Sequence, residues 1–135
     1  MGTLNGLPQR DRSAVMLAPA TRKTTLYTQE VDLWWADEDA DYIRGRSTRY
    51  PGALNVEPAW TQEVMADEHL VELSPYPSSR VRALGFLGYS PSAGRVLVVI
   101  AYRDLDGELH GMNAWPASGR DLTTYQKAVK DDEEA

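Results

Sequence analysis

Three stretches with β-strand character, separated by two short turn signals, lie between residues 80 and 116 and constrain the fold most. RVRALGFLGYS (80–90) leads through PSAG into RVLVVIAYRD (95–104), and LDGE then leads into LHGMNAW (109–115). Gly94 and the Asp-Gly pair at 106–107 are typical of tight hairpin turns, because glycine adopts positive φ without strain. The almost entirely apolar middle stretch is expected of a strand covered on both faces. The sequence therefore predicts an antiparallel three-strand meander.

Helical patterns flank this meander on both sides. Residues 30–47 predict a first helix with Asp37 as its N-cap, and residues 56–67 predict a second helix with Pro58 in its first turn. A short strand is expected within 68–80, and a closing helix after residue 116 places Asp121 and Tyr125 one turn apart. We predict an α+β fold: a small antiparallel sheet of the meander plus one or two further strands, with two N-terminal helices and one C-terminal helix mainly against one face.

The chain length of 135 residues suits one ordinary domain. Residues 1–29 are polar and carry no clear period, so we expect a partly ordered N-terminal arm. The domain itself is predicted to span residues 30–130, and residues 131–135 form an acidic tail.

Composition excludes several kinds of site. The chain has no cysteine, and its two histidines, His69 and His110, are far apart in sequence. WADEDAD (35–41) is rich in carboxylates but lacks the spacing of a calcium loop. No phosphate-binding loop, dinucleotide fingerprint or serine-hydrolase elbow is present. We therefore expect no metal and no cofactor.

The ends and the hydropathy of the chain bear on its location. No apolar run approaches membrane-spanning length, and the first residues lack the apolar core of a secretory signal. We expect a soluble, cytoplasmic protein that does not interact with membranes.

The formal net charge of −6 disfavours general nucleic-acid binding, but the charge is unevenly distributed. Arginines gather in RGRSTR (44–49) and SSRVR (78–82), and others flank the predicted sheet. Local charge decides what a site binds, so a basic face is compatible with an acidic chain. The alternative is that each arginine is a solvated surface residue paired with one of the many carboxylates.

Arginine, tyrosine, histidine and tryptophan beside a small sheet suit metal-independent RNA cleavage. Such cleavage needs a base for the 2′-hydroxyl, cations that hold the phosphate and an acid for the leaving oxygen. The planar guanidinium of arginine binds two phosphate oxygens at once, and aromatic side chains stack on unpaired bases. Many sheets carry these residue types, so the pattern alone does not identify a ribonuclease.

Four blocks of the chain show a resemblance to a known family. They are LWWADEDADYI (33–43), VMADEHLVELSPYPSSR (64–80), LGYSPSAGRVLVVI (87–100) and DGELHGMNAWPASGRDLTTY (106–125). The last two are the more specific, and the final block carries an Ala-x-x-Arg-Asp-x-x-x-Tyr pattern ending at Tyr125. Residues 32 to 126 resemble the BrnT family of type II toxin–antitoxin systems. The members of this family are small ribonuclease toxins with a RelE-like fold.

The resemblance implies an endoribonuclease that arrests growth. It also implies a cognate antitoxin from the same operon, commonly with a ribbon-helix-helix DNA-binding part. The residues expected to take part in catalysis are Arg82, His110, Arg120 and Tyr89. Those expected to contact RNA are Arg44, Arg46, Arg49, Arg80, Arg95 and Trp115. Arg82, Arg95 and Arg120 are predicted to line one end of the sheet.

Two departures from the family pattern keep a second hypothesis open. Many members have a Lys-His-Gly-Val turn after the first helix, where this chain reads RGRSTRYPG (44–52). Many also have an arginine in the last strand where this chain has Trp115. The alternative is a catalytically inactive BrnT-like binding protein, or an accessory protein of a phage or mobile element.

Overall fold

The computed structural model describes residues 32–79 and 81–134. The elements follow the order β1 (Leu33–Trp34), α1 (Asp37–Arg44), α2 (Arg46–Arg49), α3 (Pro58–Met65), β2 (Val71–Leu73), β3 (Leu84–Ser90), β4 (Arg95–Arg103), β5 (Leu109–Pro116) and α4 (Gly119–Glu134). The α+β class is confirmed.

The meander is present as predicted. Strands β3, β4 and β5 are antiparallel neighbours, joined by hairpins in which Gly94 and Gly107 have φ of 70° and 87°. The whole sheet has the strand order β1-β5-β4-β3-β2. Its β1 pairs with β5 in parallel, through Leu33 opposite Leu109, so the sheet is mixed and the expectation of a purely antiparallel sheet was wrong. The dipeptide strand β1 is too short to be recognised from an alternating pattern.

The first face of the sheet carries the larger apolar cluster. Helices α1 and α3 pack there, and the buried residues include Ile43, Val56, Val64, Leu97 and Val99. Trp35 lies over Gly111, where the ring occupies the space that a Cβ would need. The Trp35 indole donates a hydrogen bond of 2.9 Å to Oγ1 of the fully buried Thr61, which ties α3 to the segment between β1 and α1.

The second face is covered by α4, contrary to the prediction that the helices lie mainly on one face. Helix α4 contacts β3 and β4 and buries Tyr125 against the second apolar cluster, with Leu87 and Val98. Two hydrogen bonds fix it: the Tyr125 hydroxyl donates to Asp67 at 2.6 Å, and the Tyr76 hydroxyl donates to Asp121 at 2.6 Å. The sequence could not assign a face, because helix amphipathicity shows which stripe is buried but not against what.

Of the two end segments predicted from the sequence, only the C-terminal one lies, up to Glu134, within the described residues. The N-terminal arm, residues 1–29, lies outside the described residues. The stretch predicted as an acidic tail continues α4 as helix through Glu134, and Asp132 within it binds His69 at 2.7 Å. In the part of the chain that the structure describes, no helix is long and apolar enough to span a bilayer.

Candidate functional site

The part of the second face that α4 leaves uncovered forms a cleft. Its floor is Ile100 of β4 and three β5 residues, and its walls come from α1 and from the loop between β2 and β3. This part of the cleft, the apolar lobe, has a volume of about 450 Å³ and is lined by Asp39, Tyr42, Tyr76, Ser78, Ser79, Ile100, Met112, Asn113 and Trp115.

A second compartment, the arginine lobe, adjoins the first. It is lined by Arg46, Arg49 and Tyr50 together with three residues that it shares with the apolar lobe, Tyr42, Asn113 and Trp115, and its volume is about 380 Å³. Because the lobes share these three side chains, they are direct neighbours, and we describe them together as one cleft with the arginines at one end and Ile100 and Met112 at the other.

A β-bulge in β5 aims two residues into the cleft. Ile100 pairs with Asn113 whereas Ala101 pairs with Gly111, which leaves Met112 as the extra residue. Side chains two apart on a regular strand share a face, so without the bulge Asn113 would follow Gly111 onto the α1–α3 face. The extra residue shifts the alternation and places Asn113 and Trp115 on the open face beside Ile100.

Two arginines of the cleft are held in place without charge neutralisation. The Arg49 guanidinium lies 3.6 Å from the centroid of the Tyr42 ring and donates a 2.7 Å hydrogen bond to the Tyr42 carbonyl. Arg46 donates to the Leu54 carbonyl at 3.1 Å. Within residues 32–79 and 81–134, neither arginine forms an ion pair with a carboxylate. Their positive charge is therefore available to an anionic ligand.

Arg44 differs from its two neighbours. Its Nε lies 3.0 Å from Glu57 and its Nη1 lies 3.6 Å from Asp41, and it does not line the cleft. Of the residues predicted to contact RNA, Arg46, Arg49 and Trp115 therefore lie together in the cleft. Arg44 does not lie there.

The buried tyrosine of the apolar lobe is a structural donor. Burial, and then the hydrogen bond to Asp121, raise the pKa of Tyr76 to about 12. The phenol thus stays protonated at neutral pH and is unsuited to act as a base. Its ring meets Trp115 edge to face, with centroids 6.0 Å apart, and fixes the indole at the cleft floor.

The residues predicted to be catalytic do not converge on this cleft or on each other. Tyr89 pairs with Val96 near the start of β4, whereas His110 pairs with Tyr102 near its end. These positions are six residues apart, about 20 Å along an extended strand. His110 is held at the β4–β5 hairpin, where its Nε2 lies 2.7 Å from Asp104 and its ring stacks on Tyr102.

The arginines expected at one end of the sheet lie at different ends. Arg95 pairs with Ser90 at the β3–β4 hairpin, while Arg82 precedes Leu84 at the opposite end of β3. Arg82 is exposed and has a φ of 58°, and Arg120 is exposed in the first turn of α4. The prediction that they line one end was wrong, because hairpin connectivity places the start and the end of β3 a full strand apart. Arg80 lies outside the described residues.

One group of side chains in the described part of the chain has the composition of a metal site. Ligand atoms of Asp104, Glu108 and His110 lie within 4.8 Å of one another on the β4–β5 hairpin. Asp104 already accepts hydrogen bonds from the backbone N–H groups of Asp106 and Glu108, and the bond to His110 is the main reason that its pKa is lowered. These hydrogen bonds stabilise the β4–β5 hairpin, and they explain why the three side chains lie close to one another.

Sequence reasoning missed nine of the residues that line the cleft: Asp39, Tyr42, Tyr50, Tyr76, Ser78, Ser79, Ile100, Met112 and Asn113. A signal for part of the set was present, because Tyr42, Arg46, Arg49 and Tyr50 follow the i, i+4, i+7, i+8 spacing of one helix face. Asn113 had no such signal, since its orientation depends on the bulge.

Comparisons with known proteins add no family assignment. A scan against family models, a search of curated proteins and a search of solved structures each found no match.

Proposed function

We propose that this protein is a BrnT-like toxin of a type II toxin–antitoxin system that binds and cleaves RNA at the cleft. The observation that carries the proposal is that Arg46 and Arg49, which form no ion pair within the described residues, line the cleft together with the aromatic rings of Tyr42, Tyr50 and Trp115. A phosphate backbone needs cations, and unpaired bases need flat apolar surfaces. The RelE-like fold and the antitoxin partner are part of the same proposal and rest on the family resemblance.

In this proposal the arginines and the aromatic rings of the cleft have different tasks. Arg46 and Arg49 hold backbone phosphates. Their guanidinium groups stabilise the extra charge that develops when the 2′-oxygen, losing its proton to water, attacks phosphorus; the bond to the 5′-oxygen then breaks, that oxygen takes a proton from water, and a 2′,3′-cyclic phosphate remains. Trp115 and Tyr42 stack on bases that leave the strand. The cleft is a groove on an open sheet face, so the expected substrate is single-stranded RNA.

The test compares two double variants with the same change in charge. Arg46→Ala/Arg49→Ala removes the cations of the cleft, and Arg82→Ala/Arg120→Ala removes those first expected to hold phosphate. Binding of a labelled single-stranded RNA is measured by fluorescence anisotropy, and cleavage is measured on the same RNA with a chelator present. We expect the first variant to bind at least about tenfold more weakly, since each lost charged hydrogen bond contributes roughly 1.5–3 kcal/mol.

The second variant is expected to bind RNA as the wild type does. Equal binding by wild type and Arg46→Ala/Arg49→Ala, with both folded, would remove the cleft from the proposal. Failure of the wild-type protein to bind RNA at all would overturn the proposed function.

A second candidate function is an RNA-binding protein that does not cleave. One observation favours it: the described lining of the cleft contains no histidine, and His110 is held by Asp104 at the far hairpin. Intact RNA after incubation with a protein that binds it tightly would select this candidate. Induced expression gives the corresponding cellular result, because only the ribonuclease arrests growth with loss of RNA.

A further inference from the structure

A carboxylate in the cleft is at odds with simple phosphate binding. Asp39, in the first turn of α1, lines the apolar lobe and is only partly exposed. No hydrogen bond or ion pair joins its side chain to another residue of the described segments. A negative charge here repels a phosphate backbone, so its favourable partner in RNA must be a hydrogen-bond donor on a base.

The amide of Asn113 has a defined orientation in the same lobe. Its Oδ1 accepts a 2.9 Å hydrogen bond from the backbone N–H of Ala114. The Nδ2 group therefore remains as the donor that Asn113 presents to a ligand. The lobe thus offers a donor from β5 and two acceptor oxygens from α1.

Among the four RNA bases, guanine complements this set most fully. Its Watson–Crick edge has one acceptor, O6, followed by two adjacent donors, N1–H and the N2 amine. Both carboxylate oxygens can accept from those donors while the amide donates to O6. Adenine, cytosine and uracil each offer only one donor group on that edge, which leaves one carboxylate oxygen without a base partner.

We propose that the apolar lobe is a guanine subsite in which Asp39 accepts from N1–H and N2 and Asn113 donates to O6. This proposal rests on the proposed RNA binding and adds a base preference to it. The lobe volume of about 450 Å³ accommodates a purine. Tyr42 and Trp115 supply the rings on which it stacks, and purines offer the larger stacking area.

The experiment uses four labelled pentamers, UUGUU, UUAUU, UUCUU and UUIUU, where I is inosine, which lacks only the N2 amine. Affinities are measured by anisotropy with wild type, Asp39→Asn and the matched control Glu38→Gln, which removes an exposed charge on the same helix turn. For wild type we expect the guanine pentamer to bind about tenfold or more tightly than the adenine pentamer, with the inosine pentamer between them.

Asp39→Asn is expected to shift the two affinities in opposite directions. The guanine pentamer should bind about tenfold more weakly because one acceptor is replaced by a donor, and the adenine pentamer should bind equally or more tightly because a repulsive charge is gone. Glu38→Gln should keep the wild-type preference. A purely structural role for Asp39 would instead weaken all four pentamers alike, and circular dichroism checks that the variant is folded.

The possible outcomes distinguish a failure of the guanine subsite from a failure of the proposed RNA binding. Tight binding of all four pentamers with no preference overturns the guanine subsite and leaves the RNA cleft in place. A preference that survives in Asp39→Asn overturns the role of this carboxylate. Absence of binding to every pentamer overturns both proposals.

Discussion

Replacing the buried Thr61 by valine tests how the cleft is supported from beneath. Valine has nearly the same shape as threonine but lacks the hydroxyl, which accepts a 2.9 Å hydrogen bond from the Trp35 indole and donates a 2.6 Å bond to the Pro58 carbonyl. Trp35 in turn packs on Gly111 of β5, the strand that carries Asn113 into the cleft. The substitution therefore loosens the contact between α3, the segment leading into α1, and β5.

The expected loss of stability follows from the two hydrogen bonds. Thr61 has 0% exposure, and Trp35 and Pro58 are partly buried, so water replaces the lost hydroxyl only in part. With a net contribution of about 1 kcal/mol for each bond and a further cost for groups left without partners, the free energy of unfolding should fall by roughly 2–4 kcal/mol. Even 2 kcal/mol lowers the melting temperature of a domain of this size by about 7–10 °C.

The assay is urea denaturation followed by circular dichroism, which does not depend on the fluorescence of Trp35. Thr61→Ser keeps the hydroxyl, so its free energy of unfolding should fall by less than half as much as that of Thr61→Val. Thr123→Val, on an exposed position of α4, should stay within about 0.5 kcal/mol of wild type. A Thr61→Val protein as stable as wild type would refute the reasoning that this hydroxyl joins α3 to the strand beneath the cleft.

Three further predictions follow from other contacts. The hydrogen bond that the His69 ring donates to Asp132 is the largest cause of the raised pKa of His69. The stabilisation is therefore complete below the unfolded value of about 6.5 and is lost as pH rises through the folded value; urea midpoints across pH 5.5–8.5 should show a larger loss in wild type than in Asp132→Asn. Gly88→Ala should destabilise by about 1–3 kcal/mol, because the new Cβ would lie 2.7 Å from a backbone oxygen of α3; a melting temperature equal to wild type would contradict this. The slope of log affinity for single-stranded RNA against log salt should fall by about 1.4 in Arg46→Ala/Arg49→Ala, since each phosphate contact contributes about 0.7; an unchanged slope would show that neither arginine contacts phosphate.

The local parts of the fold were predictable because their causes are local. Gly94 and Gly107 lie in turns that require a positive φ. Pro58 is the first residue of α3, where its fixed φ matches that of the helix. The parallel pairing of β1 and the position of α4 were not predictable, since both depend on contacts between distant segments. Helix α1 also ends earlier than expected, at Arg44, before the separate short helix α2.

Some residues of the candidate site were likewise predictable from the sequence, and others were not. Arg46 and Arg49 were identified from a cluster of arginines, and Trp115 from its place in the last strand. Asp39 was part of an acidic stretch that the sequence interprets only as a helix start. Its position in a cleft with Asn113 depends on how α1 crosses β5, which no spacing within either segment specifies.

The single extra residue in β5 reverses the face of the sheet on which the odd-numbered side chains of the strand lie. Up to Gly111, side chains at odd-numbered positions face helices α1 and α3, and beyond Met112 those at odd-numbered positions lie on the opposite face of the sheet, at the cleft. Beyond Met112 a substitution at an odd-numbered position therefore changes the lining of the cleft, whereas Ala114 between them is a fully buried core position. Any alignment of this chain with a relative that lacks the bulge must place a one-residue gap at Met112, because an error there would exchange core positions with cleft-lining ones.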